Sequence, residues 1–203
     1  LQLVVYMDAA MEMLRGQHPK KEILPGGILY YHIDDPVLES DTPLSDEEAE
    51  QALLFALRPD GLVNSGEEIY RAMDQNFEGK SQMIPVEIKK NGEISTARSK
   101  VASTEEFAVI TRYVEHEIRQ CGEAIYAGNI AVNPYRSDIE TSCTYCPYGS
   151  VCGMDAKIPG YEYRQFASMK KEEVLDQMQT ELARNRGKEE RSDEMDEGTA
   201  ERH

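Results

Sequence analysis

Apolar positions along this chain recur with a helical period in some stretches and run continuously in others, and the change of period marks its elements. The first is residues 1 to about 16. Leu1, Leu3, Val4, Val5, Met7, Ala9, Ala10, Met11, Met13 and Leu14 cover almost the whole circumference of a helix there, the pattern of a buried helix. Gln2 and Tyr6 are four apart and share one face, about one turn from each other. Gly16 and residues 17–21 end the helix, and Pro25-Gly26-Gly27 marks a turn. Residues 27–33 then read Gly-Ile-Leu-Tyr-Tyr-His-Ile, a near-continuous apolar run that predicts a strand covered on both faces, ended by Asp34-Asp35-Pro36.

Two capping boxes follow. Ser45 with Glu48 opens a helix whose expected buried stripe is Ala49, Ala52, Leu53, Phe55, Ala56 and Leu57. Ser103 with Glu106 opens a helix of about six turns, with Phe107, Ile110, Val114, Ile118, Ala124 and Ile125 inward and Gly128 closing it. Between them come a turn at 58–61, a short helix over Glu67–Gln75 with Ile69, Tyr70 and Met73 as its apolar side, and Asn91-Gly92, a type I′ hairpin signal. Alternation on the hairpin arm places Val86 and Ile88 inward and Glu87 and Lys89 outward. Residues 129–142 read as loop. Lys170–Leu182 reads as an amphipathic helix with Val174, Leu175, Met178 and Leu182 on one side, and beyond Arg184 the charged composition predicts disorder.

Composition changes this picture in three ways. The 203 residues allow one domain with appendages. A formal net charge of −16 runs against the basic footprint of nucleic-acid binders. The apolar N-terminus has no basic leader or cleavage site, contains Asp8 and Glu12, and is too short to span a membrane, so the protein is expected in the cytoplasm. The chain also opens inside an apolar run with neither an initiator methionine nor a capping residue. It is therefore expected to be the C-terminal piece of something longer.

The densest chemistry is Cys143, Cys146 and Cys152, spaced C-x2-C-x5-C. Two thiolates at x2 spacing reach one centre from a tight turn, and the third can come round to it. Thiolates select zinc, copper(I) or iron–sulfur centres. Four ligands are needed, and this stretch offers three. Cys121, the other cysteine, falls in the long helix and reads as a small buried hydrophobe; His18, His32, His116 and His203 are scattered. Pro147 and the flanking Tyr145 and Tyr148 lean towards iron–sulfur, where a dry shell tunes a cluster, with zinc left open by spacing alone. Asp74 with Glu87 and Lys89 imitates the metal-dependent nuclease pattern Asp…Glu-x-Lys, but its place on a hairpin arm reads better as an exposed charged strand face.

Gln2-Leu-Val-Val-Tyr6, the strand at 27–33 and the cysteine run, in this order, resemble the C-terminal end of the AddB subunit of the bacterial AddAB ATP-dependent helicase–nuclease. The resemblance covers roughly residues 1–166 and is most specific at the cysteines and at the flanks Pro134-Tyr-Arg136 and Gly160-Tyr-Glu-Tyr-Arg164. It implies a mixed α/β, restriction-endonuclease-like PD-(D/E)XK fold, present in part. Residues 1–135 would be the end of the nuclease domain, 136–166 a cysteine-rich iron–sulfur segment and 167–203 a charged helix and tail. By the same resemblance Gln2 and Tyr6 fill the last nuclease motif, beside the metal site. Cys143, Cys146 and Cys152 would hold a 4Fe–4S cluster with a fourth cysteine far upstream.

The acidic and lysine residues that bind Mg²⁺ and activate water would also lie upstream, which puts Glu87 and Lys89 on the wrong side of Gln2. The implied activity is cutting of single-stranded DNA during double-strand-break processing, with an AddA-type helicase–nuclease partner, and this segment alone is expected to be inactive. The cluster would be a structural fastener. Two other readings stand beside it: a zinc-binding interaction module with an acidic tail, and a Cas4-like nuclease, for which the insert from Leu44 to about Asn76 is too long.

Overall fold

The computed structural model describes residues 1–33, 35–40, 42–75 and 77–200, with side chains up to Asn185. The expected strand stop at Asp34, the Asn76 end of the insert, the last residues of the expected disordered tail and His203 lie outside the described residues. The chain divides into two units, Leu1–Glu115 and His116–His203, and the boundary falls within one helix.

The first unit runs α1 (Gln2–Gln17), β1 (Gly27–Tyr30), α2 (Asp46–Ala56), β2 (Asp60–Asn64), α3 (Glu67–Met73), β3 (Val101–Ala102) and the first half of α4 (Thr104–Tyr126). Its sheet has the order β1-β2-β3. β1 lies antiparallel to β2, from Gly27 opposite Val63 to Tyr30 opposite Asp60, and β2 lies parallel to β3. The mixed sheet and flanking helices make an α/β architecture. Val63 on the central strand is fully buried and packs with Tyr70, Phe77, Ile84, Val86, Ile88 and Val101. Tyr70 and Phe77 meet edge to face with centroids 6.2 Å apart, the arrangement that the ring quadrupole favours.

Both capping boxes form. Ser45 N–H donates to Glu48 and Glu48 N–H to Ser45 Oγ. Ser103 N–H donates to Glu106 Oε2 at 2.7 Å and Glu106 N–H returns to Ser103 Oγ at 3.2 Å. At the far end of α4, Gly128 N–H reaches the Ile125 carbonyl and Asn129 N–H the Ala124 carbonyl, the paired bonds of a Schellman stop. The amphipathic arm holds in part: Val86 and Ile88 are buried and Lys89 is exposed, but Glu87, expected to face outward, is half-buried beside Arg98.

Several expectations are corrected. In α1 only Val4 is buried; Leu3, Met7 and Met11 are half-buried and the other apolar positions are at least partly exposed to solvent. β1 is an edge strand that ends at Tyr30; Gly27, Ile28 and Leu29 are only half-buried and Tyr30, Tyr31 and Ile33 are exposed, so it is not covered on both faces. α2 buries none of its side chains fully. Asp60 and Gly61 belong to β2 rather than to a turn. The hairpin is not type I′, which needs two positive φ angles. Gly92 alone has one (φ 86°), and its N–H donates to Lys89 O while Lys89 N–H donates to Glu93 O. This is the three-residue loop that ends in a left-handed glycine. In α4, Val109 is buried, while Ile118 and Ile125 are exposed.

The second unit holds the rest of α4, β4 (Tyr135–Ser137), α5 (Gly149–Cys152), β5 (Arg164–Phe166) and α6 (Lys171–Ala200). β4 and β5 pair in parallel, Tyr135 opposite Arg164, inside stretches that lack a strand-like apolar alternation. Leu175 is buried and Val174, Met178 and Leu182 half-buried, as the stripe predicts. The helix continues past Leu182 to Ala200, where composition predicts disorder. Glu, Lys, Arg and Met are strong helix formers even where nothing apolar is buried.

Candidate functional site

Two groups of residues carry chemistry. The first is on α1. One turn brings Gln2 Nε2 to 2.6 Å from the Tyr6 hydroxyl oxygen, to which it donates. Val4, between them in sequence, is the residue that anchors the helix. Gln2 and Tyr6 themselves are exposed. With one amide N–H engaged, Gln2 keeps a carbonyl oxygen as acceptor, and the Tyr6 O–H remains a donor. The pair thus offers the Gln2 carbonyl oxygen as acceptor, and the second Gln2 Nε2–H and the Tyr6 O–H as donors, on a rigid helical face. A separate cavity of about 390 Å³ opens between α1 and α4, lined by Met7, Met11, Arg15, Phe107 and Arg112 among others, and neither Gln2 nor Tyr6 lines it.

The second group is the cysteine loop between β4 and β5. The strands close the loop at its base: Arg164 N–H donates to Pro134 O at 2.9 Å, and Ser142 N–H to Tyr135 O at 3.1 Å. Tyr135 and Phe166 pack with centroids 6.1 Å apart. Within the loop Cys143 N–H donates to Thr141 Oγ1 at 3.2 Å, and Cys146 N–H to Cys143 O at 3.3 Å, which is the tight turn the x2 spacing requires. Cys152 ends α5, where its N–H bonds Tyr148 O at 2.8 Å. All three thiols are free; Cys146 is exposed and the other two half-buried.

The donor type fits a soft metal centre. The arrangement does not complete one, because among the described residues no three His, Cys, Asp or Glu side chains are grouped to hold a metal ion. Tyr145 and Tyr148 are exposed rather than forming a dry shell. Cys121 is exposed too, against the expectation of a core residue. The half of α4 that carries it has no fully buried side chain after Val114. His116 is engaged with Asn185 Nδ2 at 2.8 Å.

Two neighbours of the loop carry no signal in their residue type. Tyr163 hydrogen-bonds the Cys143 side chain, and this holds its hydroxyl pKa above the ordinary phenol value. The Arg136 guanidinium lies 4.2 Å from the centroid of the Tyr163 ring. Both belong to the flanking segments 134–136 and 160–164, so what marks them in the sequence is the pair of flanks rather than either residue.

The carboxylates of the imitation nuclease triad are engaged with other partners. The Glu87 carboxylate pairs with Arg98 at 2.8 Å, and Asp74 accepts from Ser81 Oγ at 2.7 Å.

Comparison with known proteins shows the family of the chain. A family model described as the PD-(D/E)XK nuclease superfamily matches residues 1–153. Among curated proteins, the AddB subunit of the ATP-dependent helicase/deoxyribonuclease of Thermoanaerobacter sp. (strain X514) is 38% identical over 182 residues, which is 90% of this chain and 16% of that protein. The protein of the same description from Lachnoclostridium phytofermentans is 39% identical over 183 residues, 86% of this chain and 15% of its own length. The one from Clostridium botulinum (strain Hall) is 37% identical over 182 residues, again 90% and 16%. The chain thus spans about a sixth of the length of the curated relatives it matches. It belongs to the PD-(D/E)XK nuclease superfamily and is homologous to a short stretch of AddB, a subunit of the ATP-dependent helicase/deoxyribonuclease.

Proposed function

We propose that this chain works as the end of the nuclease domain of an AddB-type subunit, in a cytoplasmic helicase–nuclease that processes double-strand breaks for recombinational repair. The observation that carries the reading is the 38% identity over 90% of the chain to a protein named as a deoxyribonuclease subunit. The Gln2–Tyr6 contact on α1 supports it. In this reading that helix face lies beside the nuclease metal site, where Gln2 and Tyr6 orient the strand to be cut through the amide and the hydroxyl. When bound, Mg²⁺ would supply the charge that activates water and stabilises the leaving oxygen. Its carboxylate and lysine partners come from outside this segment, so the segment alone is inactive. The working enzyme pairs with an AddA-type partner and acts on single-stranded DNA ends.

The cysteine loop has a separate task in the same reading. Cys143, Cys146 and Cys152 supply three thiolates to a 4Fe–4S cluster, and a distant cysteine supplies the fourth. Joining remote parts of a chain restricts the unfolded state, so the cluster acts as a structural fastener. The β4–β5 pairing, which closes the loop at its base, supports this.

The test is Cys146→Ser in the full-length protein, purified without oxygen. The parent should be brown, with a broad absorption near about 400 nm, and the variant should lose iron and melt earlier. Iron content unchanged by the substitution refutes ligation by Cys146, and a colourless parent with bound zinc would favour the interaction-module reading.

A further inference from the structure

One recess in the first unit stands apart from both groups of residues. It lies between the last turn of α3 and the hairpin tip, has a volume of about 570 Å³, and is lined by Arg71, Phe77, Glu78, Gly79, Ile88, Lys89, Lys90 and Gly92. Its charge departs from that of the whole chain. The protein carries −16, yet residues 77–100 hold five Lys and Arg against three Glu. In the recess itself, three cations face the one carboxylate of Glu78.

Those cations are not neutralised. Lys89 reaches Glu93 only at 3.9 Å, with both side chains well exposed, and such a pair is weak in water. Lys90 has no ion pair among the described residues. Arg71 is held in place by its bond to Phe77 O at 3.0 Å and by the Phe77 ring 5.0 Å from its guanidinium carbon. One of its five N–H donors is engaged there, which leaves the planar fork pre-set for an oxyanion. The floor is apolar, since Phe77 and Ile88 are each only 8% exposed. The rim at Gly79 and Gly92 borders open space, since a Cβ built at either would meet nothing within 4 Å.

We infer that this recess binds the phosphate backbone of a single DNA strand, with Lys89, Lys90 and Arg71 on the phosphates and the apolar floor under a sugar or an unpaired base. A duplex keeps its bases stacked inside and has no apolar face to offer such a floor. The identity of the polymer rests on the proposed function; the anion-binding chemistry does not.

The test measures the anisotropy of a fluorescein-labelled oligothymidylate with the 203-residue chain. Salt is varied from about 50 to about 200 mM. Each phosphate contact on a single strand contributes about 0.7 to the slope of log affinity against log salt. The Lys89→Ala, Lys90→Ala double variant should therefore lower the slope by about 1.4 and weaken binding about 25-fold at about 0.1 M salt. Both lysines are exposed on a hairpin tip, so the circular dichroism melt should not move. Lys20→Ala, Lys21→Ala, an equal loss of exposed charge elsewhere, should leave binding unchanged.

An unchanged slope in the hairpin variant, an equal loss in the Lys20, Lys21 control, or no binding by the parent chain overturns the site. The nuclease reading then still stands or falls on the iron measurement. Equal, lysine-dependent binding of a duplex overturns the single-strand assignment.

Discussion

Asn64 joins three separate segments of the first unit. It lies at the end of the central strand β2, is 1% exposed, and is one of few polar side chains in that core. Its Nδ2 donates to Pro25 O at 2.8 Å and to Thr104 Oγ1 at 3.0 Å, and its Oδ1 accepts from Gly66 N–H at 2.9 Å. One side chain thus ties together the segment entering β1, the start of α4 and the loop into α3. Asn64→Ala removes all three bonds. Thr104 can turn its hydroxyl elsewhere, but Pro25 O and Gly66 N–H lose their partner in a closed space. An unsatisfied buried backbone group costs about 1 to 3 kcal/mol, so the variant should lose about 3 kcal/mol. For a unit of this size that is a fall of about 10 °C in Tm.

Asn64→Asp tests the donor role separately. It keeps the acceptor for Gly66 but sets a carboxylate against the Pro25 carbonyl. Burial and the facing oxygen raise its folded pKa above the unfolded value. The charged form is penalised, so this variant should be least stable at neutral pH and recover as pH falls through the folded pKa, where the protonated acid can donate. Thermal and urea unfolding followed by circular dichroism read both effects. An Asn64→Ala variant within about 0.5 kcal/mol of the parent, or an Asp variant without that pH trend, would refute the reasoning.

Gly61→Ala should be costly on β2. Gly61 has φ 146°, and a Cβ there would run into the Ile28 carbonyl oxygen and lie 2.9 Å from Leu29 Cα, both backbone atoms of the paired strand. A loss of about 3 kcal/mol or more, with faster amide exchange along β1, is expected; a urea midpoint equal to the parent's would show that the strands part without cost. The Asp60–Lys100 pair, at 2.6 Å and more than half exposed on both sides, holds the Asp60 pKa below its ordinary value, chiefly through the Lys100 hydrogen bond. A depressed folded pKa gives stability that is present above the unfolded value and lost as pH falls through the folded one. Lys100→Met should therefore cost up to about 1 kcal/mol at neutral pH and low salt, and nothing in strong acid. A difference that persists unchanged at low pH or in high salt would assign the cost to something other than the ion pair.

What could be read from the sequence was local and periodic. Ser45 with Glu48 and Ser103 with Glu106 located two helix starts because each motif satisfies its own backbone donors without help from the rest of the chain. The stripe through Leu175 and the inward Val86 and Ile88 followed from period alone. The failures share a different cause. Burial depends on what stands opposite, which periodicity does not contain. α1 is apolar nearly all round yet buries one residue, Cys121 points to solvent on the outer half of α4, and Tyr145 and Tyr148 shield nothing. β4 and β5 were invisible because three-residue strands paired across nearly thirty positions carry no alternation to detect.

That last pairing bears on the function as well. The cysteine spacing places two thiols across a turn and the third on α5, but β4 and β5 decide where the whole loop is held. They also bring Arg136 and Tyr163 to the side of Cys143. Residues on paired strands set the position of a loop more rigidly than residues within it, because their backbone bonds are shared with a neighbour. The Pro-Tyr-Arg and Tyr-Arg flanks therefore hold the cysteine loop at its base. Loss of the β4–β5 register would release the base of the loop that carries the three thiols without changing any of them.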